Sequence, residues 1–273
     1  LMMHGLARLA DDFDHVAPHF TDKYYVLCPS MIGRGFSGWA RDPDAEYTVP
    51  FYVAQMFELL DHFNIDTCDW IGTSMGGLIG LYATTEVAGR IERLVLNDIG
   101  PELDPDAVAR IKSYVGASPE FETIDEVEQL VRLVYASFGV ADDATWAFLA
   151  SRSVRRLPNG NFMMHYDPEV MRVFAEHIDS FDAWAEFEAP LGIAAVVGDV
   201  ALEHGRIGDL HVVAVERHYL SAAGRDRLDE ALAAVDRDQI AGVVFQIRIL
   251  DRHQIVVVSG SDDRFETGAK GGS

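Results

Sequence analysis

The sequence predicts an α/β protein in which a doubly wound, mostly parallel sheet carries an inserted helical cap. Short apolar runs are typical of buried parallel strands, and they stand at residues 1–3, 24–28, 68–71 and 91–96. Segments with helical spacing separate these runs, and this alternation indicates a parallel sheet. Between Pro101 and Pro190 the periodicity becomes helical throughout, which indicates an insertion.

The helices between the first strands are predicted from spacing and from their start signals. Residues 9–20 carry helical spacing. Thr48 is a candidate N-cap with Pro50 in the first turn, and one helical face follows it. A further helix is predicted over residues 77–85.

The insertion and the chain after it complete the predicted domains. We predict cap helices over residues 108–115, 127–138, 144–154 and 170–178. Strands are predicted over residues 193–197, 211–215, 243–250 and 255–258, with a helix over 220–235. The predicted core is therefore 1–100 with 191–273, and the predicted cap is 101–190. The tail is atypical, because no proline occurs after Pro190.

Charge limits the classes of partner. The 273 residues include 22 basic and 44 acidic residues, a net charge of -22. Such a charge repels nucleic acids and anionic membranes, so we expect neither as a partner. It also disfavours a polyanionic substrate, unless a local basic pocket overrides the overall field. Oligomeric state is left open by the sequence.

The cysteines predict a reducing, cytoplasmic location. Cys28 and Cys68 are the only cysteines, and both lie in apolar contexts that favour buried thiols. There is no apolar run of transmembrane length and no metal-binding spacing, so we expect no metal. The chain opens on Leu1-Met2-Met3, which is typical of the end of a strand, so a missing targeting segment stays an alternative.

The most informative motif is Gly72-Thr73-Ser74-Met75-Gly76, which is a G-x-S-x-G pentapeptide. It lies between a predicted strand and a predicted helix, the context of a nucleophile elbow. Glycines two residues before and after the serine allow a tight turn and close backbone approach. The turn would direct the Met75 amide toward the charge that develops on an attacked carbonyl.

A second glycine pattern does not predict a cofactor. Residues 33–38, Gly-Arg-Gly-Phe-Ser-Gly, match G-x-G-x-x-G. Pro29 ends the preceding strand four residues earlier, and no helix opens after the pattern. Without that context the dinucleotide interpretation fails, and we expect no cofactor.

Together, His4-Gly5, the segment 29–37, the elbow and Asn97 to Pro101 resemble the α/β-hydrolase fold family. The likeness is closest to its branch of capped esterases and carbon-carbon-bond hydrolases, and it covers residues 1–190. The resemblance implies a serine nucleophile, Ser74, and an oxyanion hole formed by the amides of Leu6 and Met75. Ser30 stands where the family usually has Asp, which implies an effect on stability.

The resemblance also implies a chain order of serine, acid and histidine. The best positional match is Asp199 as the acid and His218 as the base, each just beyond a predicted strand. Asp98 and Asp263 are alternative acids. His204 and His253 are weaker candidates for the base, and His4 is expected to order the oxyanion loop instead.

The implied activity is that of a serine hydrolase acting on a small, largely uncharged ester or related acyl compound. Its partner is then a small-molecule acyl substrate. Cleavage of a carbon-carbon bond and acyl transfer are alternatives on the same apparatus. A non-catalytic relative that only binds ligand is the alternative from another class.

Overall fold

The fold is built on a parallel sheet of five strands. The structure, a computed structural model, describes residues 1–101, 103, 105–113, 119–136, 140, 142–178, 181–185, 193–196, 212–213, 248–249 and 255–256. Its strands are β1 (Met2–Met3), β2 (Cys68–Thr73), β3 (Ile91–Asn97), β4 (Val154–Arg156), β5 (Phe162–Met164), β6 (Ile193–Val196), β7 (Val212–Val213), β8 (Arg248–Ile249) and β9 (Ile255–Val256). The five-stranded sheet has the order β1-β2-β3-β6-β7, and every pair in it is parallel.

Helices connect and cover these strands. Two short 3-10 helices, Ala10–Phe13 and Ala17–His19, follow β1. The α-helices are α1 (Pro43–Glu46), α2 (Val49–His62), α3 (Met75–Glu86), α4 (Pro105–Lys112), α5 (Ile124–Val134), α6 (Asp143–Arg152) and α7 (Pro168–His177). This alternation of parallel strands and helices is the predicted α/β fold.

Strand register places the ends of β1, β2 and β3 at one edge of the sheet. Met3 pairs with Gly72, and Thr73 pairs with Asn97. Parallel strands run in the same direction, so the loops after all three strands meet at this carboxyl edge. Ligands of open α/β sheets bind at that edge.

The main hydrophobic core lies between the sheet and helices α2 and α3. Trp70 in β2 is fully buried, and its indole Nε1 donates to Gly76 O at 3.0 Å. Buried apolar residues of α2 and α3 complete this cluster: Tyr52, Val53, Met56, Phe57, Leu60, Met75, Ile79 and Leu81. Thr48 is the N-cap residue of α2, as predicted, although its side chain makes no cap hydrogen bond.

Two predictions for the first thirty residues are wrong in detail. Residues 24–28 do not form a strand, and Tyr25 is 70% exposed, although Leu27 O accepts a hydrogen bond from Met2 N. Residues 9–20 form the two 3-10 helices instead of an α-helix. Pro18 has no amide hydrogen, so an α-helical ladder cannot continue through it.

The tail is only partly described. Strands β6 and β7 fall within predicted runs and extend the parallel sheet. Strands β8 and β9 also fall within predicted runs, but they pair antiparallel with each other in a separate two-stranded sheet. The predicted helix over 220–235 lies outside the described residues.

The segment between β3 and β6 has its own apolar cluster. It contains the helices α4 to α7. It also contains the antiparallel hairpin β4–β5, and the sequence did not predict this hairpin. Buried members of the cluster are Phe121, Val127, Val131, Trp146, Ala150 and Met164. The division of the chain into a core and a cap at residues 101 and 190 remains a prediction.

Backbone hydrogen bonds join residues 165–167, which follow β5, to the loop 33–35. Gly35 N donates to His165 O, and Asp167 N donates to Gly33 O, both at 2.8 Å. The Tyr47 hydroxyl donates to Asp167 Oδ2 at 2.7 Å in a buried position. These contacts fix the segment 165–167 against the loop 33–35.

His4 is a fully buried polar residue that connects two loops. Its Nε2 accepts a hydrogen bond from Met31 N at 3.0 Å, so Nδ1 carries the ring hydrogen and lies 2.8 Å from Gly5 O. Burial, and next the Arg34 cation, lower the pKa of His4 to about 3. The imidazole is therefore neutral in the folded protein.

Within the described residues, none of the helices has the length and apolar character needed to cross a bilayer.

We expect Gly76→Ala to destabilise the fold. A Cβ at this position would overlap the backbone carbonyl of Met3. Backbone cannot yield as a flexible side chain can, so we expect a loss of about 2 kcal/mol or more in the free energy of unfolding. Gly38→Ala is the control, because a Cβ there meets nothing within 4 Å, and it should change stability by no more than about 0.5 kcal/mol. Equal urea midpoints for the two variants would contradict the close approach of α3 and β1.

We expect His4 to make the fold sensitive to acid. Its folded pKa, about 3, lies below its ordinary value of 6.5, so the unfolded chain takes up the proton first as pH falls. Stability is therefore lost between pH 6.5 and pH 3, at up to about 1.4 kcal/mol per pH unit. Urea unfolding at pH 7 and pH 5 should show a loss about 2 kcal/mol larger in the native protein than in His4→Gln. The same acid loss in both proteins would show that His4 does not carry this dependence.

Candidate active site

Ser74 occupies the turn between β2 and α3. Its backbone φ of 50° and ψ of -118° lie in a region that residues other than glycine rarely adopt. The backbone is held there by Ser74 N, which donates to Asn97 O at 2.8 Å, and by Gly77 N, which donates to Ser74 O at 2.9 Å. The predicted strand, turn and helix around Ser74 are confirmed.

Gly72, Gly76 and Gly77 permit this turn because neighbouring atoms leave no room for a Cβ at these positions. A Cβ on Gly72 would overlap the backbone of Gly76 and Gly77. A Cβ on Gly77 would lie 2.5 Å from Ile99 Cγ2. Residues with side chains would force β2 and α3 apart, and Ser74 would leave the carboxyl edge of the sheet.

Two neighbouring loops approach Ser74 at that edge. A Cβ built on Gly5, in the loop after β1, would lie 3.6 Å from Ser74 Cβ. In β3, Asn97 pairs with Thr73, and Asn97 Nδ2 donates to Thr73 Oγ1 at 3.1 Å. Asp98 follows Asn97 with a φ of 56° and an exposed side chain. The strand register thus brings Gly5, Ser74 and Asp98 to one edge.

Met75 and Leu6 belong to the two segments that meet at Ser74. Met75 is the first residue of α3, and the first amides of a helix have no acceptor within the helix. The amide dipoles of a helix also make this end partly positive. Leu6 follows Gly5 directly, and its carbonyl accepts a hydrogen bond from Arg34 Nε at 3.0 Å.

Arg34 is a fully buried cation that contacts both Leu6 and Met75. Its Nη2 donates to Met75 Sδ at 3.4 Å, and its Nη1 donates to Tyr52 Oη at 2.6 Å and to Ile32 O at 2.9 Å. The Tyr52 ring also lies 5.1 Å from the guanidinium carbon. A planar donor with five N–H groups suits this set of fixed acceptors.

Arg8 is a second buried arginine near the turn. A Cβ on Gly5 would lie 3.6 Å from Arg8 Cγ, the same distance as from Ser74 Cβ. Its guanidinium pairs with both oxygens of Asp12 and donates to Ser153 Oγ at 2.7 Å. Arg8 therefore connects the loop after β1 to the residue that precedes β4.

Sequence reasoning missed Arg34 and Arg8 as organising residues. Arg34 appeared only within the rejected G-x-G-x-x-G pattern and within the segment 29–37 of the family resemblance, without a role of its own, and Arg8 was not singled out. One signal for Arg34 was its position between Gly33 and Gly35, both of which have positive φ. Such a loop holds a long side chain under tight backbone constraint.

The structure describes only some of the predicted site residues. Ser74, Leu6 and Met75 lie together, and Asp98 lies at the same edge. The ring nitrogens of His4 are both engaged by backbone groups, and its pKa is low, so His4 is not suited to act as the base. The remaining candidates lie outside the described residues: Asp199, His204, His218, His253 and Asp263.

Cys28 and Cys68 are free, and burial raises the pKa of both thiols. No group of three His, Cys, Asp or Glu side chains that suits a metal ion occurs among the described residues.

Comparison with known proteins agrees with this fold. A model of the α/β hydrolase fold matches residues 1–264. The 3-hydroxybutyrate-oligomer hydrolase of Cupriavidus necator is 34% identical over 248 residues, which cover 87% of this chain and 84% of that protein. Esterase YbfF of Escherichia coli is 31% identical over 101 residues, 37% of this chain and 38% of the esterase.

Solved structures show the same fold. The crystal structure of an alpha/beta hydrolase from Novosphingobium aromaticivorans superposes with a TM-score of 0.67 at 28% identity, covering 84% of this chain and 77% of that one. The match in sequence extends over nearly the whole chain, and the parallel sheet carries Ser74 at the expected turn. The chain therefore belongs to the α/β-hydrolase fold family, and its relatives named here are hydrolases.

Proposed function

We propose that this protein is a serine hydrolase that cleaves small esters, with Ser74 as the nucleophile. The strained conformation of Ser74 on the turn between β2 and α3 is the observation that carries the proposal. Strained backbone persists where the surrounding structure enforces it, and it is concentrated at functional sites. A nucleophile elbow exposes the serine hydroxyl at the carboxyl edge of the sheet, where a carbonyl carbon can approach it.

The amides of Leu6 and Met75 form the proposed oxyanion hole. Attack on an ester carbonyl places negative charge on its oxygen, and fixed amide hydrogens beside Ser74 would stabilise that charge. The position of Met75 at the start of α3 supports this role, because the helix dipole is favourable to negative charge. The Arg34 hydrogen bond to Leu6 O supports it further by orienting the loop.

A base must take the hydroxyl proton, because a neutral serine is a weak nucleophile. We propose His218 for this role, with Asp199 orienting the imidazole, on the basis of chain order. Asp98 is the alternative acid that the described residues favour, because it lies at the edge of the sheet next to Ser74. Proton transfer through such a triad needs no cofactor or metal.

The proposed substrate is a small ester of an acyl compound. The relative from Cupriavidus necator is named for hydrolysis of 3-hydroxybutyrate oligomers, which makes linear esters of short hydroxy acids the first class to test. We propose that residues 101–190 form a cap that shapes the substrate site. The hydrogen bonds between His165, Asp167 and the loop 33–35 support that arrangement. Cytoplasmic location and the absence of nucleic-acid and membrane partners remain predictions from the sequence.

We expect a fluorophosphonate probe to label Ser74, because such probes react with activated serines. Labelling and hydrolysis of a short-chain chromogenic ester should both disappear in Ser74→Ala. Ser151→Ala is the matched control, since Ser151 is exposed on α6 and its hydroxyl donates to Phe148 O. Persistent hydrolysis by Ser74→Ala would exclude Ser74 as the nucleophile. Failure of the native protein to label or to hydrolyse esters would instead favour a non-catalytic relative.

We expect His218→Ala to lower kcat by several powers of ten, as loss of a triad member does, with an unchanged circular dichroism spectrum. His204→Ala and His253→Ala are the matched controls and should leave kcat close to the native value. A large loss in either control, with His218→Ala active, would reassign the base.

The acid is tested in the same way, with Asp199→Asn against Asp98→Asn and Asp263→Asn. A carboxylate that orients the imidazole contributes about 10⁴-fold to kcat. We expect that loss in Asp199→Asn alone. The loss appearing in Asp98→Asn would move the acid to the strand next to the elbow.

A further inference from the structure

Arg155 in β4 carries a charge that the described protein does not match. Six described arginines lie within 4 Å of a carboxylate, namely Arg8, Arg90, Arg93, Arg132, Arg152 and Arg172. No such pair forms at Arg155 among the described residues. Its Nη2 donates to Met163 Sδ at 3.0 Å, and its buried Nε has no hydrogen-bond partner in the same part of the chain. Thioether sulfur is a weak acceptor, so this guanidinium lacks strong acceptors.

An unsatisfied arginine is unusual in this protein because acidic residues outnumber basic ones by two to one. Leaving a buried donor without an acceptor is costly, and each such group in a native structure requires an explanation. A carboxylate ligand would supply the missing acceptor, since it can take two parallel hydrogen bonds from one edge of a guanidinium.

The hairpin β4–β5 places Arg155 on the face opposite to that of Met164. Arg155 pairs with Met163 across the hairpin, and His165 N donates to Ser153 O one step further along. Ser153, Arg155, Met163 and His165 therefore share one face of the hairpin. The other face contains Met164, which is buried in the apolar cluster of the helical segment.

The face of the hairpin that includes Arg155 meets the loops around the candidate active site. Ser153 Oγ accepts a hydrogen bond from Arg8, whose Cγ and Ser74 Cβ are equally close to the position of a Cβ on Gly5. Arg155 lies two residues beyond Ser153 along the strand, a step of about 6.6 Å. A series of neighbouring residues thus leads from Ser74 to Arg155 through Gly5, Arg8 and Ser153.

Aromatic side chains complete the surroundings of Arg155. Its guanidinium carbon lies 5.1 Å from the centre of the Trp39 ring, which is 45% exposed. Phe36 is fully exposed, and its ring lies edge-on to His165 at 4.9 Å. Burial, and next the Arg155 cation, lower the pKa of His165. Stacking on Trp39 limits the orientations of the guanidinium, which favours recognition of a planar anion.

We propose that Arg155, stacked on Trp39, binds a carboxylate at the end of the substrate opposite the ester cleaved at Ser74. The proposal rests on the proposed esterase function, and it refines the sequence-based expectation of an uncharged substrate. The substrate class becomes esters of short acids that retain one free carboxylate. Here a local cation overrides the repulsion expected from the net charge of -22.

The first test measures binding without turnover. Ser74→Ala protein is titrated by calorimetry with the linear dimer of 3-hydroxybutyrate, as the free acid and as its methyl ester. We expect the acid to bind about 10- to 100-fold more tightly than the methyl ester, the range for hydrogen bonds to a charged group. Adding Arg155→Gln should remove this preference, whereas Arg156→Gln should retain it.

Arg156→Gln is the matched control because it removes the same charge one residue away. Arg156 is exposed, lies on the opposite face of the hairpin and contacts Phe162. If both substitutions weaken binding of the acid equally, the effect is long-range attraction and the proposal is wrong. Equal affinity of the acid and the methyl ester for Ser74→Ala protein would also overturn it.

The second test uses the protein with Ser74 intact. We expect Arg155→Gln to raise KM for the acid about 10-fold or more while kcat stays within about threefold and the methyl ester is unaffected. Arg155→Lys retains the charge without the planar edge and should show an intermediate preference, which provides a result if Arg155→Gln does not fold. Unchanged KM in both variants would overturn the proposal.

The two tests together separate the carboxylate site from the esterase function. A preference for the carboxylate in binding, with no hydrolysis of either ester, would reject the esterase function but not the carboxylate site.

Discussion

The buried guanidinium of Arg34 is the interaction on which the candidate site most depends. It joins the loop after β1, the first residue of α3 and the ring of Tyr52 through hydrogen bonds to fixed acceptors. A buried cation is tolerated only where its donors are satisfied, so these acceptors must keep their places. The same cation helps to hold His4 neutral, and neutral His4 accepts the hydrogen bond from Met31 N. Electrostatics and loop position are therefore coupled around Ser74.

A second constraint is the close approach of backbone segments beneath the turn. The atoms around Gly72 and Gly76 leave no space for a Cβ, and the Trp70 indole stabilises this contact by donating a hydrogen bond to Gly76 O. Packing at this density transmits displacement, so a shift of α3 would move Met75 and Ser74 together. Rigidity of this kind is what a preorganised oxyanion hole requires, because its donors must not reorganise when charge develops.

The seam between residues 165–167 and the loop 33–35 is where the proposed carboxylate site lies. Backbone pairing of 165–167 with 33–35 places the hairpin against the loop that carries Arg34. Arg8 and Arg155 approach the seam from opposite sides, but Arg8 is neutralised by Asp12. The proposed carboxylate site follows from that difference, since only an unmatched cation gains from a ligand's charge.

Local pattern determined the parallel strands of the sheet, helix α2 after Thr48 and the elbow at Ser74, because periodicity and glycine spacing encode them within a few residues. Residues 24–28 had the pattern of a strand and did not form one, since strand formation depends on partners that lie far along the chain. The partners of Arg34, His4 and Arg155 could not be predicted for the same reason. They come from segments that lie far apart along the chain, such as those of Arg34 and Met75 or of Arg155 and Trp39. Tertiary structure alone decided which buried charges are satisfied, because hydrogen bonding and desolvation depend on three-dimensional neighbours.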